Sequence, residues 1–530
     1  MNMKTVNIFL SYMALVVVAV LTSCTSGFDN YNDNPNEASE EMMSRDGLST
    51  GAFLQQMERN VFIVGKDKGG EYQITEMLAG DLYAGYVSNI GVYSYASYHN
   101  AHYQLYSGWY NAAFNDAYTD IMQPWLNLKQ NAEKDDTPAV AALATVIKVY
   151  GMLRITDMYG PIPYTQFGSI LNVPYDAQQD VYNAFFDELG DAIATLTDYY
   201  NASSSASILP MFDYVYGGKT VNWIKFANTL RLRLAVRIAY ADEGKARQEA
   251  AEAINHPVGL LSTADEAAKL NQTLGLSFLN PLWEVSNSFN DSRMCASIES
   301  YLKGYNDPRM AAYFLVANDG AYHGVYPGLS MTESKKATCT TKASGLNFSS
   351  SDPMWWMTAS ESYFLQAEAK LRWNLGTSTV KNLYETGIKT SFAERGVSGA
   401  DAYVANATAK PANFIDNVGS NNANAVGSVT IAWDDNASTE TKLERIITQK
   451  WLAIYPDGQE AWSEYRRTGY PHLFTVAENR SGGTVDTNLQ IRRLRFPVTE
   501  YDRNTANVNA AVGLLGGPDN GGTRLWWDKK

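Results

Sequence analysis

The stretch Thr358-Ala359-Ser360-Glu361-Ser362-Tyr363-Phe364-Leu365-Gln366-Ala367-Glu368-Ala369-Lys370-Leu371 carries the plainest helix signal in the chain. Thr358 and Glu361 have the spacing of a capping box, in which a hydroxyl and a carboxylate satisfy free amides of the first turn. The small residues Ala367 and Ala369 suit a close crossing with a second helix. Helical spacing of apolar residues continues downstream over 378–394 and 439–454, and upstream over 57–64, 74–82, 103–128, 139–158, 181–196 and 222–240. In the last of these, some of Arg231, Arg233 and Arg237 share one face. Strand-like alternation is sparse. His256-Pro257, Asn280-Pro281, Asp307-Pro308, Pro327-Gly328 and Asp352-Pro353 break residues 255–357 into short apolar pieces, which predicts a loop-rich insert. Residues 404–434, rich in Asn, Ala, Gly and Ser, read as a long surface loop. Successive helix pairs with tight crossings are what a tetratricopeptide-like stack requires, although no clean 34-residue repeat is present. The pattern predicts a mainly helical protein.

At the amino end, Lys4 precedes an apolar run over 6–21 and then Leu21-Thr22-Ser23-Cys24. The run is short for a membrane-spanning helix, which needs about 20 residues, and it ends at small residues before a cysteine, as a lipoprotein signal peptide does. Residues 1–23 are therefore expected to be removed and Cys24 to be lipidated. Two acyl chains hold a protein on a bilayer where one is marginal. Residues 24–40, polar and rich in Asn, Asp, Gly and Pro, read as a tether, and 41–530 as the folded body. Its helical scaffold is expected over about 41–254 and 358–530, with the insert between them.

Beyond Cys24 only Cys295 and Cys339 remain, too few for a disulfide framework, and whether they pair is open. The net charge of −14 becomes one unit more negative when residues 1–23, with one Lys and no acid, are removed. Such a field repels nucleic acid and is indifferent to a neutral polysaccharide. The chain holds 34 Tyr and 12 Trp, side chains that pair a flat apolar face with a polar edge.

Four segments resemble the SusD-like (SusD/RagB) family. They are Phe28-Asp29-Asn30-Tyr31-Asn32-Asp33-Asn34-Pro35-Asn36, then Ile155-Thr156-Asp157-Met158-Tyr159-Gly160-Pro161-Ile162-Pro163-Tyr164, then the Tyr-Phe-x-x-Ala-Glu-Ala core of the opening stretch. The fourth joins Ile446-Ile447-Thr448-Gln449-Lys450-Trp451 and Ala461-Trp462-Ser463-Glu464-Tyr465-Arg466-Arg467-Thr468-Gly469 to Arg495-Phe496-Pro497-Val498. The resemblance implies a tetratricopeptide-like helical scaffold carrying an irregular ligand-binding subdomain. It also implies a lipoprotein on the outer face of the outer membrane, acting as a lid on a SusC-like, TonB-dependent transporter. Polysaccharide or oligosaccharide is the expected ligand. Peptide uptake and a secreted glycoside hydrolase are the alternatives.

A glycan chain needs aromatic faces for its rings and amide or carboxylate groups for its hydroxyls. Residues 81–110 hold eight Tyr, and the Gly, Ser and Asn among them predict a loop up to about residue 100. Tyr83 and Tyr86 are the expected stacking rings there, with Asp81 and Asn89 as hydroxyl partners, whereas Tyr103, Tyr106, Trp109 and Tyr110 have core spacing. In the insert, Trp283 between a proline turn and Ser286-Asn287-Ser288-Phe289-Asn290-Asp291 is a further platform, with Asn287 beside it. Tyr322 and Tyr326 are secondary candidates, and Trp355-Trp356 reads as core.

No catalytic residue, cofactor or metal is expected. Gly47-Leu48-Ser49-Thr50-Gly51 matches a nucleophile elbow in letters, but the polar residues 40–46 cannot form the strand that must precede it, and Ser49 fits a helix start. Gly217-Gly218-Lys219-Thr220 echoes a phosphate loop without its first glycine or its strand. His99 and His102 lack the carboxylate partner a zinc site needs. A glycosidase would need two carboxylates about 5 to 10 Å apart across a cleft, which sequence alone does not reveal among 56 acids.

Overall fold

The computed structural model describes residues 47–65, 68–93 and 99–530; the expected signal peptide 1–23, Cys24 and the tether to residue 40 lie outside them. The longer helices are α1 (Leu48–Val61), α2 (Gln123–Lys134), α3 (Pro138–Tyr159), α4 (Gln178–Ala202), α5 (Thr220–Arg237), α6 (Glu243–Asn255), α7 (Ala296–Gly304), α8 (Glu333–Lys342), α9 (Ala359–Trp373), α10 (Val380–Glu394), α11 (Thr439–Ala453) and α12 (Gly458–Thr468). Among the described residues the strands are β1 (Val87–Asn89), β2 (Ala268–Leu270), β3 (Ser292–Met294) and β4 (Met354–Met357), so the protein is mainly helical. Residues 50–530 form one compact unit.

Consecutive helices pack as neighbours along α2, α3, α4, α5 and α6, and again in α9 with α10 and α11; α5 lies against α9 and joins the two groups. α3 starts with Pro138 in its first turn, where a missing N–H costs nothing, and stops at Gly160, whose φ of +89° breaks the helix. Its length and apolarity would let it cross a membrane, yet it is buried on every side, from Val146 to Tyr159, as a central core helix.

Thr358 caps α9 as its spacing predicts, Oγ1 accepting from the Glu361 amide at 3.3 Å. The Glu361 carboxylate does not complete the box. It takes a two-pronged bond from Arg233, at 2.9 Å from Nε and 2.5 Å from Nη2, and lies 3.2 Å from Lys450. A buried carboxylate is better satisfied by cations than by a single amide. This pair opens an ionic network between α3, α5, α9, α11 and α12. Arg237 bonds Glu464 at 2.6 Å and also reaches Glu460, Lys450 bonds Glu460 at 2.9 Å, and Arg467 holds Glu368 through two 2.7 Å bonds. Arg154 links Glu76 at 2.5 Å to Asp457 at 3.0 Å. Ala369 and Ala367 are fully buried where α9 meets its neighbours.

The segment 255–357 is irregular but not devoid of helix, since α7 and α8 lie within it. The helix expected from residue 103 starts at Ser107, because Tyr103 takes a left-handed conformation (φ +59°) that closes the short turn Asn100–His102. One two-stranded antiparallel sheet ties the insert to the scaffold, Val87, Ser88 and Asn89 of β1 pairing with Met294, Arg293 and Ser292 of β3; a second, β2 with β4, closes within the insert. Three π-helical segments, Gln73–Asp81, Tyr118–Met122 and Glu284–Ser288, are present among the described residues.

Candidate functional site

Residues 81–90 are covered, which corrects the expectation for Asp81, Tyr83, Tyr86 and Asn89. Tyr83 is 4% exposed and Tyr86 1%. The Tyr83 ring lies 5.0 Å from Trp462, and its hydroxyl donates to the Asn100 carbonyl at 3.3 Å. Tyr86 stacks on Trp451 at 5.4 Å and donates to the Trp451 carbonyl at 2.5 Å. Asp81 is buried and accepts from the Tyr72 hydroxyl at 3.0 Å; burial, with the Glu76 charge adding, pushes its carboxyl up to about 8. Asn89 is also buried and spent on the protein: its Nδ2 donates to the Tyr93 hydroxyl at 3.0 Å and to the Asp291 carbonyl at 3.2 Å, and its Oδ1 accepts from Gly91 N at 3.1 Å. Glycine and asparagine mark a turn, but they do not say what packs over it. Here α11 and α12, far along the chain, do.

Asn89 instead fastens the rim of a different surface. Paired with β3, β1 sets the chain around Tyr93 beside the insert, and Ile90 N donates to the Asp291 carbonyl at 2.7 Å. Gln73, first residue of the π-helix Gln73–Asp81, donates to Asp291 Oδ2 at 3.0 Å, and Lys336 of α8 to Oδ1 at 2.7 Å. Behind Tyr93 lie His99 at 5.4 Å and Trp109 at 5.2 Å between ring centres. Burial, with His102 and Arg480, pushes the His99 imidazole down to about 3, so it is neutral. Its Nδ1 accepts from Ala101 N at 3.0 Å, which leaves Nε2 to carry the proton and donate to Asn89 Oδ1 at 3.1 Å.

Trp283 and Asn287 stand on this surface. The Asn280 side chain caps the turn Pro281–Trp283, accepting from Leu282 N at 3.0 Å and Trp283 N at 3.3 Å. The π-turn Glu284–Ser288 follows, with Asn287 exposed and its Nδ2 donating to the Trp283 carbonyl at 3.2 Å. Gly69 meets this turn closely, since a Cβ there would come within 2.2 Å of Glu284 Oε2 and the Glu284 side chain would have to shift. Trp283, Phe289 and Tyr93 are half-exposed; Lys336, paired with Asp291, lies 3.5 Å from the Phe289 carbonyl, and Asn89 joins Asp291 to Tyr93. The result is an open lip with three rings, an exposed amide, and a carboxylate beside an ammonium. Phe289 and Asp291 fall in the polar run that marks this insert in the sequence. Gln73 and Lys336 have no local signal, because they reach Asp291 from 218 and 45 residues away.

Tyr322 and Tyr326 are half-buried. Tyr326 packs at 6.0 Å and 5.6 Å from Phe414 and Phe474 rather than on the lip, and Tyr322 adjoins His323, which bonds Asp319 and Asn417. Trp356 is buried, while Trp355 is held between Lys269 at 4.0 Å and Arg395 at 3.9 Å. Cys295 and Cys339 are buried free thiols. His99 and His102 lie 5.4 Å apart, and among the described residues no three His, Cys, Asp or Glu side chains form a metal-holding group. Ser49 lies in the first turn of α1. The loop before Thr220 already holds its own anion: the Asp213 carboxylate accepts from the amides of Val215, Tyr216 and Gly218 and from Trp223 Nε1, at 2.7 to 2.9 Å.

The family model of the SusD and RagB outer membrane lipoproteins matches residues 30–528. Among solved structures, a chitin-binding SusD homologue from Flavobacterium johnsoniae is 38% identical with a TM-score of 0.86, over 91% of this chain and 99% of that one. A SusD homologue from Bacteroides uniformis is 36% identical with a TM-score of 0.85 over the same shares, and one from Bacteroides vulgatus 33% identical with 0.86, over 92% and 99%. No match is found among curated protein sequences. Matched from residue 30 to residue 528 and alike in fold to relatives at more than a third identity, the chain belongs to the SusD-like family of outer membrane lipoproteins.

Proposed function

We propose that the protein captures a glycan chain on the lip formed by Trp283, Phe289 and Tyr93, and passes it to a SusC-like, TonB-dependent transporter while anchored to the outer membrane through Cys24. The observation that carries this reading is the 38% identical relative described as chitin-binding, which shares the fold over nearly its whole length. The lip supports it chemically. Aromatic faces stack on the apolar faces of pyranose rings, and the Asn287 amide with the adjacent Asp291 carboxylate and Lys336 ammonium offers acceptors and donors to neighbouring hydroxyls. The role is binding, and it requires no bond to be made or broken.

The test is affinity electrophoresis against a panel of neutral polysaccharides that includes glycol chitin. Retardation by one polymer class without release of reducing ends is expected. Trp283→Ala should weaken binding about tenfold, equivalent to about 1.4 kcal/mol, with an unchanged melting temperature, and Asn287→Ala should weaken it less. Released sugar, or binding to peptides and to none of the polymers, would overturn the reading. A lowered melting temperature with unchanged affinity in Trp283→Ala would remove the tryptophan from the site.

A further inference from the structure

A cavity of about 480 Å³ that shares no lining residue with the lip lies between the segment after α3, the π-turn Tyr118–Met122 and the helix Val498–Arg503. Its size is that of a small-ligand site, for which 300 to 1,000 Å³ is usual, on the order of one or two sugar rings. Phe114, Tyr118 and Phe167 form its floor, with ring centres 4.7 Å and 5.9 Å apart in sequence. The polar groups are held in place from outside. Tyr118 donates to the Pro163 carbonyl at 2.8 Å, Thr499 to Asn115 Oδ1 at 3.2 Å, and Tyr175 and Asn504 to Glu500 Oε2 at 3.0 Å and 3.1 Å. Asn504 and Asn507 brace the loop at the mouth through the carbonyls of Val173 and Asn172, at 3.1 Å and 3.0 Å. On that loop Leu171 is 92% exposed. Arg503 lies exposed at the rim and, among the described residues, its guanidinium makes no ion pair or hydrogen bond, with Glu500 or with any other group.

A second observation points the same way. π-Helices occupy well under 1% of residues and gather at functional sites. Two of the three described here end at the lip, through Gln73 and Asn287. The third turns Tyr118 and Thr119 into this cavity.

We infer that this cavity is a second glycan-binding site, in which Phe167 and Tyr118 take the face of a neutral sugar ring and Glu500, Asn172 and Arg503 take its hydroxyls. The inference rests on the glycan reading of the chain and adds a contact on the same molecule. Two weak sites on one chain raise the hold on a long polymer well above that of either alone.

Isothermal titration calorimetry of the mature chain, purified without its lipid, with maltohexaose, cellohexaose, xylohexaose and chitohexaose tests it. The hexasaccharide that binds should occupy two sites per chain. Trp283→Ala should leave one, and adding Arg503→Ala or Phe167→Ala should weaken that remaining site about tenfold. Arg503 is exposed, so its variant should melt like the parent, which guards against a folding defect in Phe167→Ala. One site per chain, lost in Trp283→Ala and untouched by Arg503→Ala and Phe167→Ala, would overturn this inference and leave the lip standing. Binding of none of the four would sink both.

Discussion

Tyr83 and Trp283 show what separates a core ring from a binding ring. Both stand among turn-forming residues, yet Tyr83 is sealed beneath α12 and Trp283 is half-exposed beside Asn287. Tyr86 gives the sharper test, because its ring and its hydroxyl are used separately, the one stacked on Trp451 and the other bonded to that residue's carbonyl. Tyr86→Ala should lower stability by about 3 to 5 kcal/mol, the usual cost of removing a large buried ring. Tyr86→Phe should lower it by about 1 to 2 kcal/mol, through the carbonyl left unpaired. Denaturant unfolding measures both. If both variants fold and bind glycan like the parent, the ring is not the core element described here.

At the level of elements, the deciding contact is the crossing of the π-helix Gln73–Asp81 over the start of α12. A Cβ on Gly80 would lie 2.6 Å from the backbone nitrogen of Gln459. Two backbones in contact have no flexible side chain to yield, so one of them must move. Gly80→Ala should therefore destabilise the protein by about 1 to 3 kcal/mol or more. Because Gln73 at the other end of that helix holds Asp291, glycan affinity should fall with it. Denaturant unfolding and the electrophoretic assay check the two effects, and an unperturbed variant would show that the crossing has slack. The helices themselves are legible in the sequence: α3, α4 and α9 lie where apolar spacing and the Thr358 cap place them. The Glu361 carboxylate is not, since its partner Arg233 is 128 residues away.

For the whole molecule the buried ions set the response to pH. Burial pushes the Glu76 carboxyl up to about 7, although Arg154 counters it, and burial with Glu76 pushes Asp81 up to about 8. Both are protonated more readily folded than unfolded, where carboxyls titrate near 4. Their contribution is full below about pH 4 and is lost as the pH rises through 7 and 8. Burial also opposes ionisation of Glu460, but Arg237, Lys450 and Arg233 outweigh it and hold that carboxyl down at about 2; Arg467, Lys450 and Arg237 likewise hold the Glu464 carboxyl well below its ordinary range. That contribution is present above about pH 4 and is lost as the pH falls toward 2. The melting temperature should thus rise as pH is lowered from 8.5 to about 5 and drop steeply below 4. Asp81→Asn should flatten the upper limb and leave the acid limb alone. Melting scans across this range check it, and a flat profile between pH 5 and 8.5 would mean that Glu76 and Asp81 are ionised in the fold.

The amino-acid sequence by itself determined the helices, the Thr358 cap, the irregular insert and the four segments that mark the family, because each depends on residues within a few turns of one another. The tertiary structure alone decided which aromatic faces meet water. Burial of a ring depends on what packs over it, and Tyr86 is covered by Trp451, 365 residues further along. The lip is likewise a product of long-range contacts, since β1 pairs with β3 beside it and Gln73 and Lys336 reach Asp291 from 218 and 45 residues away. Local spacing encodes turns and helices, whereas exposure is set by contacts between segments that the spacing does not relate.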